Sequence, residues 1–111
     1  MQVLANILRP EFEIVGTAIN RDETAAAVGR LKPDVLVLGI NMLLADGLHA
    51  ARKFFKLLSH VHTIVLAVHA DIEYEEAALG LGAAGFVLKS RAALDLPPAI
   101  RKAMLGPLLI S

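Results

Sequence analysis

The feature that most constrains the fold is an uncharged run at residues 35–40, Val-Leu-Val-Leu-Gly-Ile. Pro33 and Asp34 precede it, and Asp46-Gly47 follows it. A short apolar run with turn residues on both sides is typical of a strand that is buried on both faces. Such strands occur in parallel sheets covered by helices, where functional residues gather at the carboxyl ends of the strands. Gly39 lies at that end of the predicted strand.

Similar apolar runs alternate with helix-like segments along the rest of the chain. We predict further strands at residues 13–18, 63–68 and 85–88, and helices over residues 22–31, 46–58 and 71–79. Each of these three helices starts with an aspartate that can cap it. A last helix is predicted to begin at Pro97 and Pro98, because proline is tolerated in a first turn but not inside a helix. This βαβαβαβα order predicts one α/β domain with a parallel sheet.

Composition narrows the class of function. The 11 basic and 11 acidic residues cancel, which argues against binding to nucleic acid or to an anionic membrane. The absence of cysteine excludes disulfides and thiolate metal sites, and it suits a cytoplasmic protein. No basic leader precedes the apolar residues at the start, and no apolar stretch approaches the roughly 18 residues that span a bilayer. Hydrophobic residues make up 56% of the chain, above the usual 45–50% or so, so we expect some apolar surface to be covered.

Five segments, in order, resemble the receiver domain of bacterial response regulators, in the CheY-like superfamily and nearest to its NarL/LuxR-type branch. They are residues 13–16, 32–38, 46–48, 64–66 with His69, and 82–89. The resemblance covers almost the whole chain, from about Leu4 to Ser111. It implies a flavodoxin-like parallel sheet flanked by helices, and a role in two-component (phosphorelay) signalling and transcription regulation.

The resemblance also divides the chain. Residues 1–106 resemble the receiver, and residues 107–111 resemble the start of a linker to a DNA-binding domain that this chain lacks. The receiver is expected to be incomplete at its N-terminus, because the chain begins within what resembles the family's first helix.

The first strand of that fold is central, so its absence would leave two strands with unpaired edges. Three arrangements would satisfy them: the flanking strands pair directly, a partner supplies the element, or residues 108–111 form a strand. We favour a homodimer that exchanges or shares elements.

The resemblance also implies what the site requires. A receiver of this family takes a phosphoryl group from a histidine kinase onto a strand-end aspartate, with Mg²⁺ held by that aspartate and by an acidic pair after the first strand. A hydroxyl residue and a lysine bind the phosphoryl oxygens. Here Gly39 stands at the phosphoacceptor position and Ala67 at the hydroxyl position, and the acidic pair has no counterpart. The retained positions are Lys89, Phe86 as the switch aromatic, and Asn41, whose backbone carbonyl would help to hold the metal.

We therefore expect no catalytic residue, no phosphoryl transfer at the usual position and no bound Mg²⁺ or other cofactor. Asp46 matches the family's helix start, and Asp34 lies at the opposite end of its strand, so neither replaces the nucleophile. Histidines at positions 49, 60, 62 and 69 leave a metal site open as an alternative, which we do not favour because no carboxylate or cysteine joins them. Glycines 80, 82 and 85 follow a helix and precede a strand, the wrong order for a nucleotide-binding loop.

The expected function is that of a degenerate receiver that is not an enzyme and acts by protein–protein contact or self-association. We expect the contact surface on the last two helices and the strand between them, and no direct contact with nucleic acid or membrane. Two alternatives stay open. In the first, the pocket that the small residues Gly39 and Ala67 leave beside Lys89 binds a small ligand or anion. In the second, the chain is a non-functional fragment of a DNA-binding response regulator.

Overall fold

The computed structural model describes residues 2–44, 47–58, 60–69, 71–103 and 108–110. In these residues the chain forms a five-stranded parallel sheet with helices on both faces. The strands are β1 Ile14–Thr17, β2 Val35–Gly39, β3 His62–Ala67, β4 Gly85–Leu88 and β5 Leu108–Ile110. The helices are α1 Gln2–Leu8, α2 Arg21–Leu31, α3 Ile40–Leu44, α4 Leu48–Leu57, α5 Ile72–Leu81 and α6 Ala92–Ala103. The predicted α/β class with a parallel sheet is confirmed.

The core lies in two layers, one on each face of the sheet. Helices α1 and α6 cover the first face, where Leu8 and Leu96 pack against Val35 and Val37 of β2. Helices α2 to α5 cover the second face, which receives Leu36 and Leu38. Successive side chains of a strand point to opposite faces, so a strand with both faces covered must be apolar throughout. Residues 35–38 are fully buried, as their sequence predicted.

The strand order is β1-β5-β2-β3-β4, which places the last strand of the chain inside the sheet. Strand β5 is parallel to both neighbours: Leu108 is paired with Ile14 and Val35, and Ile110 with Thr17 and Val37. The Leu108 N–H donates to the Glu13 carbonyl, and the Ala18 N–H donates to the Ile110 carbonyl, both at 2.8 Å. Leu108, Leu109 and Ile110 have no exposed surface. This segment therefore occupies a central place in the sheet.

Of the three arrangements considered from the sequence, the chain uses its own tail. A strand from a partner, the arrangement that we favoured, is not needed to fill this place, and the sheet is not incomplete. The boundary predicted at residue 106 is also wrong, because residues 108–110 belong to the sheet and not to a linker. The reason is geometric: α6 follows β4 and returns to the amino edge of the parallel sheet, which is the edge where the parallel strand β5 begins.

Of the three helix starts predicted from an aspartate cap, the structure confirms the one at Asp71. Asp71 caps α5, since its Oδ1 accepts from the Glu73 N–H at 2.9 Å. The cap of α2 is Asn20, whose Oδ1 accepts from the Glu23 N–H at 2.8 Å, so this helix begins slightly earlier than predicted. Helix α4 has Gly47 at its N-cap, and Asp46, the predicted cap, lies outside the described residues. The short helix α3 was not predicted.

The predicted start of the last helix at Pro97 and Pro98 is wrong. Helix α6 begins at Ala92 and contains both prolines. Their ring nitrogens have no hydrogen to donate to the carbonyls four residues earlier, which usually interrupts a helix. Here the apolar stripe formed by Ala92, Leu96 and Ile100 is buried against the sheet, so packing holds the helix across the two missing bonds.

The high apolar content is only partly accounted for by the core. Several large apolar side chains are exposed: Ile19, Leu48, Leu57, Val68, Ile72, Tyr74, Leu79 and Leu94. Most of them lie on or beside helices α4, α5 and α6. No helix in the described part of the chain is long and apolar enough to cross a membrane.

Candidate functional site

The structure brings the two substituted site positions together at the carboxyl edge of the sheet. Gly39 is the last residue of β2 and is paired with Leu66 of β3, whose next residue is the buried Ala67. A Cβ built at Gly39 would meet no heavy atom within 4 Å, so there is room for a side chain here. Neither residue carries a nucleophile or a hydroxyl. The edge has the space that a reaction would need but lacks the two groups.

Helix α3 places Asn41 beside this edge. It begins directly after Gly39, and the Arg21 guanidinium holds it by donating from Nη2 to the Leu43 carbonyl at 2.9 Å. The same guanidinium lies 5.9 Å from the centre of the Phe54 ring, which ties α2, α3 and α4 together. The side chain of Asn41 is exposed. The structure thus places Asn41 at this edge, and the metal-holding role of its backbone carbonyl stays a prediction.

A cavity of about 260 Å³ adjoins the edge. Its lining consists of Ile40, Asn41, Ala67, Val68, His69 and Tyr74. This volume is just below the range of about 300–1,000 Å³ that is usual for small-molecule sites. Sequence reasoning missed Tyr74 and Val68. The available signal was the Asp71 cap, which fixes the start of α5 and so puts Tyr74 in its first turn, close to the end of β3.

Lys89 and Phe86 lie on the next strand along the sheet. Lys89 is exposed and begins a 3₁₀ turn, Lys89–Arg91, directly after β4. Lys89 does not line the cavity at Asn41 and Ala67. Phe86 is half-buried and packs against the second face of the core. Lys89 thus follows β4 at the carboxyl edge, apart from the cavity lining, and its role as a retained family position stays a prediction.

Arg91 fixes the end of the turn that Lys89 begins. Its Nε donates to Oδ2 of Asp95 at 2.8 Å, across one turn of helix. This hydrogen bond, together with the charge of the carboxylate, raises the pKa of the Arg91 guanidinium. The Arg91 guanidinium is therefore paired with the Asp95 carboxylate of α6 and not with a group at the edge near Gly39.

The residues present do not fit a Mg²⁺ ion, which prefers carboxylate and carbonyl oxygens. In the described residues there is no group of three or more histidine, aspartate and glutamate side chains that would hold a metal. Strand β5 occupies the place of the family's first strand, and its residues Leu108–Ile110 include no acid. His62 and His69 lie at opposite ends of β3, so the histidines do not form a joint site either. Loss of Mg²⁺ binding stays a prediction.

Comparison with known proteins identifies the family. The model of the response regulator receiver domain matches residues 1–101. This chain belongs to the response regulator receiver family. The transcriptional regulatory protein YvfU of Bacillus subtilis is 34% identical to this receiver over 104 residues, which are 94% of this chain and 52% of YvfU. DegU of Brevibacillus brevis is 32% identical over 94 residues, 85% of this chain and 40% of DegU. The receiver therefore spans about half the length of the curated relatives that it matches.

Solved structures show the same fold. A DNA-binding response regulator of the LuxR family from Staphylococcus aureus superposes with a TM-score of 0.75 at 22% identity, covering 92% of this chain and 87% of the other. A signal receiver domain from Mycobacterium tuberculosis gives a TM-score of 0.76 at 22% identity, with coverage of 91% and 83%. The predicted flavodoxin-like, CheY-like fold is confirmed. In this receiver it includes a central strand taken from the end of the chain.

Proposed function

We propose that this receiver domain does not accept a phosphoryl group at the usual strand-end position and acts through contacts with other proteins. The observation that carries the proposal is that Gly39 and Ala67 lie together at the carboxyl edge. Gly39 is paired with Leu66, the residue before Ala67. Phosphoryl transfer to a side chain needs a nucleophilic oxygen and groups that offset the developing charge. Gly39 provides no such oxygen, and in the part of the chain that the structure describes no carboxylate lines the nearby cavity. The domain is accordingly proposed not to be an enzyme.

The surface that supports a protein contact lies on α5, β4 and α6. Ile72, Leu79 and Leu94 are each between 46% and 70% exposed there. Isolated surface leucines are common, but three large apolar residues on the two helices that flank the edge strand β4 favour an interaction site. Strand β4 is at the edge of the sheet. A groove of about 650 Å³ runs beside it, lined by residues 84–87, Asp95, Pro98, Ala99, Lys102 and His62.

The proposal is tested by incubation of the chain with acetyl phosphate and Mg²⁺, followed by intact-mass measurement. We expect no gain in mass, while a receiver that carries the strand-end aspartate, treated in parallel, gains one phosphoryl group. A stoichiometric gain of one phosphoryl group by this chain would overturn the proposal. Mapping of the modified residue by peptide mass would then identify the nucleophile.

A second candidate function is binding of a small ligand in the cavity of about 260 Å³. The cavity has three polar side chains, Asn41, His69 and Tyr74, on an apolar floor, which is the usual character of a small-molecule site. The absence of Lys89 from its lining argues against the anion-binding version of this alternative. A thermal-shift screen with small neutral and anionic compounds tests it, and a hit that survives Asn41→Ala and Tyr74→Ala would place the ligand elsewhere.

A further inference from the structure

Charges of opposite sign are separated onto two neighbouring helices. Helix α4 carries Arg52, Lys53 and Lys56 and no acidic residue. Helix α5 carries Glu73, Glu75 and Glu76 and no basic residue. None of these six side chains forms an ion pair with another residue in the described part of the chain. The chain has no net charge, so this separation is a local property of one surface.

The two helices lie side by side on the second face of the sheet. Both follow a strand and return to the amino edge of a parallel sheet, so they run in the same direction. Ala51, Phe54 and Phe55 of α4, and Ala78 of α5, are buried against the core. A groove of about 480 Å³ separates the helices, with Arg52, Phe55 and Lys56 on one wall and residues 80–82 on the other.

The buried residues fix which side chains face outward. An α-helix turns by about 100° per residue, so the outward side of α4 presents Lys53 and Lys56, and the outward side of α5 presents Glu73 and Glu76. These residues, with Arg52 and the 64% exposed Ile72, form a surface that we name the α4–α5 face. Two apolar residues flank it. Leu57 lies on the side of α4 away from α5, and Leu79 on the side of α5 away from α4.

We propose that the partner of the α4–α5 face is a second copy of this chain, bound about a two-fold axis parallel to the two helices. That axis places the basic α4 of each copy opposite the acidic α5 of the other, so both contacts are attractive. It also brings Leu57 towards the partner subunit's Leu79. An axis across the helices would instead place α4 on α4 and α5 on α5, with like charges facing. The charge pattern therefore selects one of the two face-to-face arrangements.

The size of the face sets the expected strength. Each ten-residue helix is about 15 Å long, and helices pack roughly 10 Å apart, which gives about 300–400 Å² per copy. This is below the roughly 800 Å² per partner of a standard stable interface. We therefore expect a weak, reversible and salt-dependent dimer. The inference rests on the part of the proposed function that makes the domain act by protein contact, and it is independent of the phosphorylation assay.

The first test is sedimentation equilibrium of the full chain at concentrations up to about 500 µM, which covers the affinity of weak interfaces. We expect a monomer–dimer equilibrium whose dissociation constant rises about tenfold or more between about 50 and 500 mM NaCl, because exposed charge pairs are screened. A chain that stays monomeric at low salt, or a dimer that salt does not weaken, would overturn the proposal.

The second test uses charge reversal. One variant carries Arg52→Glu and Lys53→Glu, and the other carries Glu73→Lys and Glu76→Lys. Each variant alone places like charges opposite each other in both contacts, so each should lose dimerisation by about tenfold or more. An equimolar mixture restores both contacts and should form the heterodimer. Circular dichroism checks that these exposed substitutions leave the fold unchanged.

A matched control separates this interface from simple attraction between chains of opposite net charge. The control variant, Lys89→Glu with Lys102→Glu, has the same net charge as the α4 variant but alters exposed residues outside the α4–α5 face. It should dimerise like the original chain, and it should pair with the α5 variant more weakly than the α4 variant does, because only one of the two contacts is then attractive. Loss of dimerisation in the control, or failure of the complementary mixture to associate, would contradict the proposed arrangement.

Discussion

The centre of the sheet and its carboxyl edge both differ from the arrangement that the receiver resemblance predicts, and they differ in which residues stand there instead. At the centre, the place of the first strand is filled by β5, which is hydrogen-bonded on both sides and completely buried. At the carboxyl edge, Gly39 and Ala67 occupy positions where the family resemblance predicts functional side chains, and among the residues that the structure describes no carboxylate lines the adjoining cavity. In the described residues, the strand that the fold requires is thus replaced, whereas the groups that only a reaction would require are not.

The difference follows from the energetics of burial. Without β5, the facing edges of β1 and β2 would expose or bury unpaired backbone groups, at about 1–3 kcal/mol for each buried one. Several such groups approach the whole free energy of unfolding of a small domain, about 5–15 kcal/mol. At Gly39, by contrast, a Cβ would meet no heavy atom within 4 Å, so the core does not pack against a side chain at this position. Loss of a site at the edge leaves the fold intact, whereas loss of a central strand does not.

Removal of residues 108–111 should have the largest effect. Leu108, Leu109 and Ile110 are fully buried, and burial of each contributes about 1.5–3 kcal/mol, so the truncated chain should be unfolded or aggregated at 25 °C. Far-ultraviolet circular dichroism and size-exclusion chromatography measure this. A synthetic peptide of residues 105–111 should partly restore the folded signal. A truncated chain that melts cooperatively as a monomer at the original temperature would show that β5 does not complete the sheet.

Leu109→Ala tests the same region with one side chain. Leu109 lies in β5 between β1 and β2, and its side chain is buried in the core on the second face of the sheet. We therefore expect Leu109→Ala to lower the free energy of unfolding by about 2–5 kcal/mol. Leu94→Ala is the matched control, because Leu94 is 70% exposed, and its effect should stay within about 0.5 kcal/mol. Urea titration of both variants gives the two values. Equal effects would contradict the central position of β5.

The sequence predicted the parts of this fold that carry a local signal. Residues 35–38 and 63–67 had an apolar pattern strong enough to be recognised as buried strands, and Asp71 marked a helix start. Strand β5 has only three residues and no period, and what makes it a strand is the place left between β1 and β2. The start of α6 was predicted wrongly for a similar reason, because burial of Leu96 and Ile100 outweighs the local effect of Pro97 and Pro98.

The candidate site was predicted in the same uneven way. The motif spacing gave the positions of Gly39, Ala67 and Lys89, because these follow strands that are easily recognised. The exposure of Lys89 away from the cavity, and the contribution of Tyr74 to it, depend on how α5 and β4 pack. The spacing of residues along the chain does not determine such packing.

Alanine substitutions at Gly16, which lies beside β5, and at Gly39, at the carboxyl edge, test the same difference with one methyl group each. A Cβ at Gly16 would lie 2.9 Å from Cδ1 of Leu31 and 3.5 Å from Cδ1 of Leu109, so Gly16→Ala should force these side chains to move and destabilise the domain by about 1 kcal/mol. Gly39→Ala has open space and restricts the unfolded chain, so it should be neutral or stabilising by about 0.5 kcal/mol. Thermal and urea unfolding of the two variants measure the difference. If Gly39→Ala destabilised the domain more than Gly16→Ala, the surroundings of Gly39 would be packed more tightly than those of Gly16.

The smallest effect on stability is expected from restoring the missing groups at the edge. Gly39→Asp combined with Ala67→Thr adds side chains where there is space at Gly39 and where Ala67 borders the cavity of about 260 Å³, so the free energy of unfolding should change by less than about 1 kcal/mol. Acetyl phosphate and Mg²⁺ should nevertheless modify fewer than about one molecule in ten, because Leu108–Ile110 of β5 bring no carboxylate to hold the metal that stabilises the transferred charge. Intact mass provides the measurement. Full modification would contradict this expectation, because two restored side chains would then be sufficient for phosphoryl transfer at this edge.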